Sequence, residues 1–117
     1  MVDQIGNWEA QIRKGWLEVA ILATLWRGRL YGLEIIRALE SSSDLVVAEG
    51  TIYPVLARLR NDGLVEAEWE EGTSGHPRRY YKLTPAGRKR TLLLAKHSNV
   101  FLEKMAALIK PLLAEGK

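Results

Sequence analysis

From Trp16 onward the run LEVAILATLW is apolar on nearly every side of a helix. That pattern predicts a helix buried all round, part of it against a second subunit, because a small domain has too little interior to surround one helix completely. Asn7 is a candidate cap for a helix starting at Trp8. Gly15 interrupts the pattern at ~1 kcal/mol relative to alanine, so the segment before it is expected to bend or stand apart, and Gly28 should end the helix. Tyr31 and Gly32 then open a second helix with Leu33, Ile36 and Leu39 as its buried stripe, and Ser41, Ser42 and Ser43 dissolve it into a loop. Leu45, Val46 and Val47 follow as a short extended run. In the next stretch Ile52, Val55, Leu56 and Leu59 recur at i, i+3, i+4 and i+7, the spacing of a core-facing helix. Pro54 has no N–H and is cheap only in the first turn, so this helix is expected to become regular near Thr51, acting as N-cap, and to end at Gly63.

After Gly63 the period changes from helical to two. Val65, Ala67 and Trp69 alternate with Glu66, Glu68 and Glu70 from Leu64 to Glu71, which predicts a strand with one wet face. The loop GTSGHP leads into a second strand, Arg79 to Thr84, completing a hairpin. Thr84 and Pro85 then make an N-cap with proline at the first helical position. In the long helix that follows, Leu94, Ser98, Phe101, Met105, Leu108 and Leu112 fall at alternating steps of four and three, the seam of a coiled coil. Leu92 to Ala95 are expected to pack on the chain's own domain, and Pro111 should end or kink the helix. About twenty-five helical residues rise ~38 Å, longer than a compact domain of this size covers, so the seam beyond Phe101 calls for a partner helix.

The third helix turns a different face outward. Gly50, Pro54, Ala57 and Asn61 lie opposite its apolar stripe, flanked by Thr51 and Arg58 on one side and by Tyr53 and Arg60 on the other. Small residues, a tyrosine and arginines on such a face, with a hairpin directly after, have the layout of a DNA-reading winged helix. An ordinary helix with a solvated outer face fits that stretch equally well.

Charge distribution changes the picture more than net charge does. Seventeen Lys and Arg against fourteen Asp and Glu leave a formal +3 on 117 residues. Asp62, Glu66, Glu68, Glu70 and Glu71 form an acidic block, whereas Gly72 to Leu102 holds Arg78, Arg79, Lys82, Arg88, Lys89, Arg90 and Lys96 with no acid at all. An acid-free block of that length favours a polyanion partner, with neutralisation by the neighbouring acidic strand as the alternative. For Arg78 and Arg79 the same two options apply, phosphate contact or cross-strand pairing with Glu68 or Glu70. Without cysteine there is no disulfide, thiol nucleophile or thiolate zinc site. His76 and His97 make a poor ligand set, so neither a metal nor a cofactor is expected. No convergent acid, base and nucleophile appear, which argues against an enzyme. Absence of a leader pattern or long apolar run places the chain in the cytoplasm, with no membrane partner.

These residues resemble the PadR family of bacterial transcriptional regulators. The resemblance runs through the Leu-rich first helix, Tyr31-Gly32, GTIYPVLARLRNDGLV, Trp69 and PRRYYKLTPAGR, most of the chain in order, and its length is that of the small subfamily with a single C-terminal dimerisation helix. It implies a mainly α (α+β) winged helix-turn-helix fold, with a DNA-binding domain over residues 1–84 and a dimerisation helix over 85–117. It implies a homodimer on double-stranded DNA, acting as a repressor. Gly50, Thr51, Tyr53 and Pro54 would lead the recognition helix, with Arg58 beside them and Arg78 and Arg79 on the wing. Leu94, Phe101, Met105, Leu108 and Leu112 would form the dimer interface. The family often has a capping Ser or Asn where this chain has Ala48. Some small members bind flat hydrophobic compounds along the dimer axis. Trp8, Trp16 and Phe101 are the aromatic residues available to such an effector here, or else to plain interface packing. A winged helix used only for protein interaction is the alternative function, and it has no need of an acid-free wing.

Overall fold

A computed structural model of the chain describes residues 2–43, 48–71 and 75–116. Its elements run α1 (Val2–Thr24), β1 (Leu30–Tyr31), α2 (Gly32–Ser43), α3 (Glu49–Asn61), β2 (Val65–Glu71), β3 (Pro77–Leu83) and α4 (Pro85–Glu115). The core is the meeting of four apolar stripes. Leu17, Ile21, Leu22 and Leu25 come from α1 and the turn after it, Ile35, Ile36 and Leu39 from α2, Ile52, Leu56 and Leu59 from α3, and Val65 and Tyr81 close it from the sheet. Burying each such side chain is worth roughly 1.5–3 kcal/mol, which is why the i, i+3, i+4 spacing of α3 dictates its orientation.

Several local expectations give way to this packing. The first helix is continuous from Val2, so Asn7 lies inside it and Gly15 does not break it. A glycine's ~1 kcal/mol is a weak preference that flanking helical turns and packing override. Nor is α1 buried all round, since Trp16, Val19 and Ala20 are only half-buried. In α2 the buried pair is Ile35 and Ile36 with Leu39, while Leu33 is exposed, and the helix holds through Ser43. Tyr31 belongs to a strand rather than to the helix start: Leu30 and Tyr31 pair with Tyr81 and Tyr80 of β3. Its N–H donates to Glu34 Oε1 at 3.1 Å, so Glu34 reaches back across the first turn of α2 as in a capping box. The extended run at Leu45–Val47 and the wing tip at 72–74 lie outside the described residues.

The helix α3 starts at Glu49, two residues ahead of Thr51, and Ala48 precedes it without a side-chain cap. Backbone N–H groups of Thr51 and Ile52 both donate to the Ala48 carbonyl, at 2.9 and 3.2 Å. Ala48, Glu49 and Gly50 are exposed, so water satisfies the remaining donors of the first turn and the Glu49 charge favours that end of the helix dipole. Pro54 therefore sits inside the helix. The acceptor it leaves unmatched is the Gly50 carbonyl four residues back, also at the surface.

The three strands are antiparallel in the order β1-β3-β2. At the sheet's inner end Thr84 joins three elements: its N–H donates to the Leu64 carbonyl (3.1 Å), its Oγ1 donates to the Gly63 carbonyl (2.7 Å) and accepts from the Gly87 N–H (2.9 Å). This is the expected N-cap, with Pro85 behind it. From there α4 runs 31 residues and passes through Pro111, which does not end it. One bond to the Ala107 carbonyl is lost on a solvent-exposed turn, where water replaces it at small cost. The helix rises ~46 Å at 1.5 Å per residue, against a longest molecular dimension of 57 Å. Its first turns lie on α1. Arg88 Nη1 donates to the Trp26 carbonyl (3.3 Å) and its guanidinium stacks 4.1 Å from that indole's centroid. Of the segment Leu92 to Ala95, Leu94 alone packs on the core; Leu92, Leu93 and Ala95 are exposed.

Candidate nucleic-acid interface

The outer face of α3 is as bare as its sequence suggests: Gly50, Thr51, Pro54, Ala57 and Asn61 are all exposed, and a Cβ at Gly50 would meet nothing within 4 Å. Beside it Tyr53 leans over the start of α2, so close that any side chain at Gly32 would collide with its ring. That close approach explains the Tyr31-Gly32 pair. Tyr53 lines a cleft of about 390 Å³ with Tyr31, Leu33, Trp69, Arg78 and Arg79. Burial lifts the Tyr53 phenol above its ordinary pKa, and Glu49 and then Tyr81 add to the effect, so it remains a neutral hydroxyl across physiological pH.

On the wing, β2 and β3 pair with Glu70 opposite Arg78 and Trp69 opposite Arg79. Yet among the described residues neither arginine forms an ion pair. Arg78 lies 4.7 Å over the Tyr31 ring, and Arg79 lies 5.7 Å from Trp69 and 5.8 Å from Tyr81. Arg79 Nε is buried without a hydrogen-bond partner. Trp69, on the apolar face of β2, is 67% exposed rather than covered. Both wing acids are held instead by Arg29, whose Nη1 lies 2.9 Å from Glu68 Oε1 and whose Nη2 meets Glu70. Those hydrogen bonds, Glu68's first, push the guanidinium above its ordinary pKa. Lys82 faces Glu66 at 3.7 Å.

Tyr53, Arg78 and Arg79 are thus brought together, and Arg58 is not among them. Its Nη1 lies 3.2 Å from Glu18 Oε1 of α1 and 3.9 Å from Asp62, on the opposite flank of α3. Arg60, two turns beyond Tyr53, shares the flank of the cleft. The other oxygen of Glu18 takes Arg90 of α4, at 3.1 Å. Arg29 and Glu18 escaped sequence reading, although Glu18 left a trace as the one acid within an apolar run.

On the far side of the molecule Trp16 and Phe101 meet at 6.0 Å between centroids and border a shallow cavity of about 280 Å³ with Gln11, Ile12 and Gly15. Trp8 is exposed and does not line it. Along the seam Leu94, Ser98 and Met105 are half-buried, while Phe101, Leu108 and Leu112 are open to solvent. Among the described residues no group of His, Asp or Glu is arranged to hold a metal, and no helix is long and apolar enough to cross a membrane.

Residues 21–92, from the middle of α1 into α4, match the transcriptional regulator PadR-like family. The chain belongs to that family. This PadR-like chain is 50% identical over 42 residues to the transcriptional regulator Rv3488 of Mycobacterium tuberculosis, a stretch covering 36% of the chain and 38% of that relative. A PadR-like transcription factor from Bacteroides fragilis has a solved structure that superposes at a TM-score of 0.72 with 40% identity, over 87% of this chain and 98% of its own. A PadR family regulator from Eggerthella lenta superposes at 0.79 with 27% identity, over 92% and 93%. The winged-helix fold with a long last helix is therefore shared, and the relatives of this PadR-like chain are transcriptional regulators rather than enzymes.

Proposed function

We propose that the protein is a sequence-specific DNA-binding regulator in which the exposed face of α3 enters the major groove and the β2–β3 wing lies beside it. The observation that carries this reading is that, among the described residues, Arg78 and Arg79 stay free of carboxylates next to Tyr53, although an acidic strand runs opposite them. Guanidiniums without a carboxylate beside the recognition face are what phosphate contact requires, while Gly50, Thr51 and Pro54 allow close backbone approach to base edges. Arg58 serves this reading as a flank contact that must first leave Glu18.

The protein acts as a homodimer through α4. Leu108 and Leu112 are 69% and 63% exposed, too apolar to remain in water. Residues 1–84 form the DNA-binding part and 85–117 the dimerisation helix, and two symmetric α3 helices read inverted half-sites. Repression follows from occupying an operator, in keeping with the family resemblance. A small hydrophobic effector at the Trp16–Phe101 cavity would relieve it by changing the dimer. The deciding experiment measures binding of random and promoter duplexes over a salt series. Replacing Arg78 and Arg79 with alanine is expected to weaken binding to every duplex and lower the salt slope by roughly 1–2 units. A wild-type protein with no salt-dependent duplex affinity would instead mark the fold as a protein-interaction module.

A further inference from the structure

On an antiparallel pair, opposite charges placed directly across from one another are the natural ion pair. Glu70 stands directly across from Arg78, and the two ignore each other. Glu70 and its strand neighbour Glu68 both turn to Arg29, which arrives from outside the hairpin on the loop between α1 and β1. Arg29 is held there by more than charge. Its guanidinium lies 4.2 Å over the Tyr80 ring, Tyr80 meets Tyr31 edge-on at 5.6 Å, and Arg78 lies 4.7 Å over Tyr31. A row of two rings with a cation at each end therefore crosses one face of the sheet, from Arg29 to Arg78, and seats each arginine separately. Gly28, with φ 152°, sets the backbone that delivers Arg29 to this place.

We propose that Arg29 is a positioning residue for DNA binding: by sequestering Glu68 and Glu70 it keeps Arg78 unpaired and available to phosphate. This rests on the DNA-binding reading above. Two consequences combine. The single charge of Arg29 offsets one of the two carried by Glu68 and Glu70, and Arg78 is spared the pairing that its register would otherwise impose. The second acts between directly opposed residues, closer than the Debye length of ~8 Å, so salt at physiological strength screens it poorly.

The test compares Arg29→Gln, Arg29→Gln with Glu70→Gln, and Arg29→Gln with Glu66→Gln, in full-length protein. Duplex affinity over a salt series is read beside a DNA-free measurement, the rate at which phenylglyoxal modifies Arg78, followed by peptide mass. Arg29→Gln should slow Arg78 modification and lower the salt slope by ~0.9, about an eightfold loss at 0.1 M salt if the 1 M intercept is unchanged. Adding Glu70→Gln should restore both readouts. Glu66→Gln makes the same change in charge but faces Lys82, so it should restore neither. Arg29→Lys should retain part of the slope, because it keeps the charge without the fork. If Glu70→Gln fails to restore the slope, Arg29 is itself a phosphate contact and the proposal falls. Full slope and unchanged labelling in Arg29→Gln remove it as well, leaving the DNA-binding reading intact. A wild type without duplex affinity removes both.

Discussion

Gly87→Ala should destabilise the protein although alanine is the better helix former. A Cβ at Gly87 would run into the Leu64 carbonyl, which is backbone and cannot swing away. The first turn of α4 would have to lift from the end of α3, stretching the bonds from Thr84 N–H to Leu64 O (3.1 Å) and from Thr84 Oγ1 to Gly63 O (2.7 Å). Two hydrogen bonds at ~1 kcal/mol each and a disturbed cap at ~1 kcal/mol make ~3 kcal/mol. Alanine's helical advantage returns ~1 kcal/mol, so the net loss is ~2 kcal/mol, a fall of about 8 °C in melting temperature for a chain of this size. Thermal unfolding followed by circular dichroism, at one fixed protein concentration because a dimer's midpoint depends on it, reads this directly. Gly15→Ala is the matched control. Its Cβ meets nothing within 4 Å of this chain, and it should gain up to ~1 kcal/mol. A Gly87→Ala protein as stable as wild type would refute the close approach of α4 to Leu64.

Leu108→Glu puts a charge where the lone chain leaves the side chain open, so it should spare the monomer's packing yet separate a dimer, as should Met105→Glu at its half-buried seam position; sedimentation that still reports a dimer for both would place the interface elsewhere. Tyr53→Ala should cost ~1–3 kcal/mol on the true operator and less on random duplex, measured by competition binding; equal losses would make it a phosphate contact only. Inserting five base pairs between operator half-sites should abolish tight binding and ten should restore it, if the proposed dimer sets its two recognition helices ~34 Å or a multiple of it apart. Thr84→Ala should lower stability by about 1–2 kcal/mol in urea titration, and an unchanged midpoint would mean that the cap is idle.

Elements whose pattern is set by burial were the legible ones. The stripe Ile52, Leu56 and Leu59, the alternation of β2 and the Thr84-Pro85 start of α4 each arise from one dominant local requirement, and the structure follows them. Boundaries were less legible because exposed helix ends are satisfied by water at little cost. For that reason Gly15, read as a break, Pro54, read as part of a first turn, and Pro111, read as an end or a kink, all lie inside continuous helices. The strand Leu30–Tyr31 has two residues and no periodicity, and it exists only because β3 offers an edge. At the candidate site the small residues of α3, Tyr53 and the two wing arginines could be picked from sequence, since each type suits a nucleic-acid face. What sequence could not supply was partnership over long range: Arg29 finds Glu68 thirty-nine residues away, and Arg58 finds Glu18 forty residues back.

Glu18 gives that last contact a practical meaning. A single carboxylate, only 19% exposed, ties α3 through Arg58 and α4 through Arg90. Recognition helices are often treated as cassettes to be moved between scaffolds. Here a graft of Glu49–Asn61 alone would carry Arg58 away from its anchor and leave Glu18 in the parent to Arg90 alone. The transplantable unit is α3 together with the first-helix acid: a recipient chain that lacks that acid would keep the helix by its buried stripe but would leave Arg58 free to find another anion.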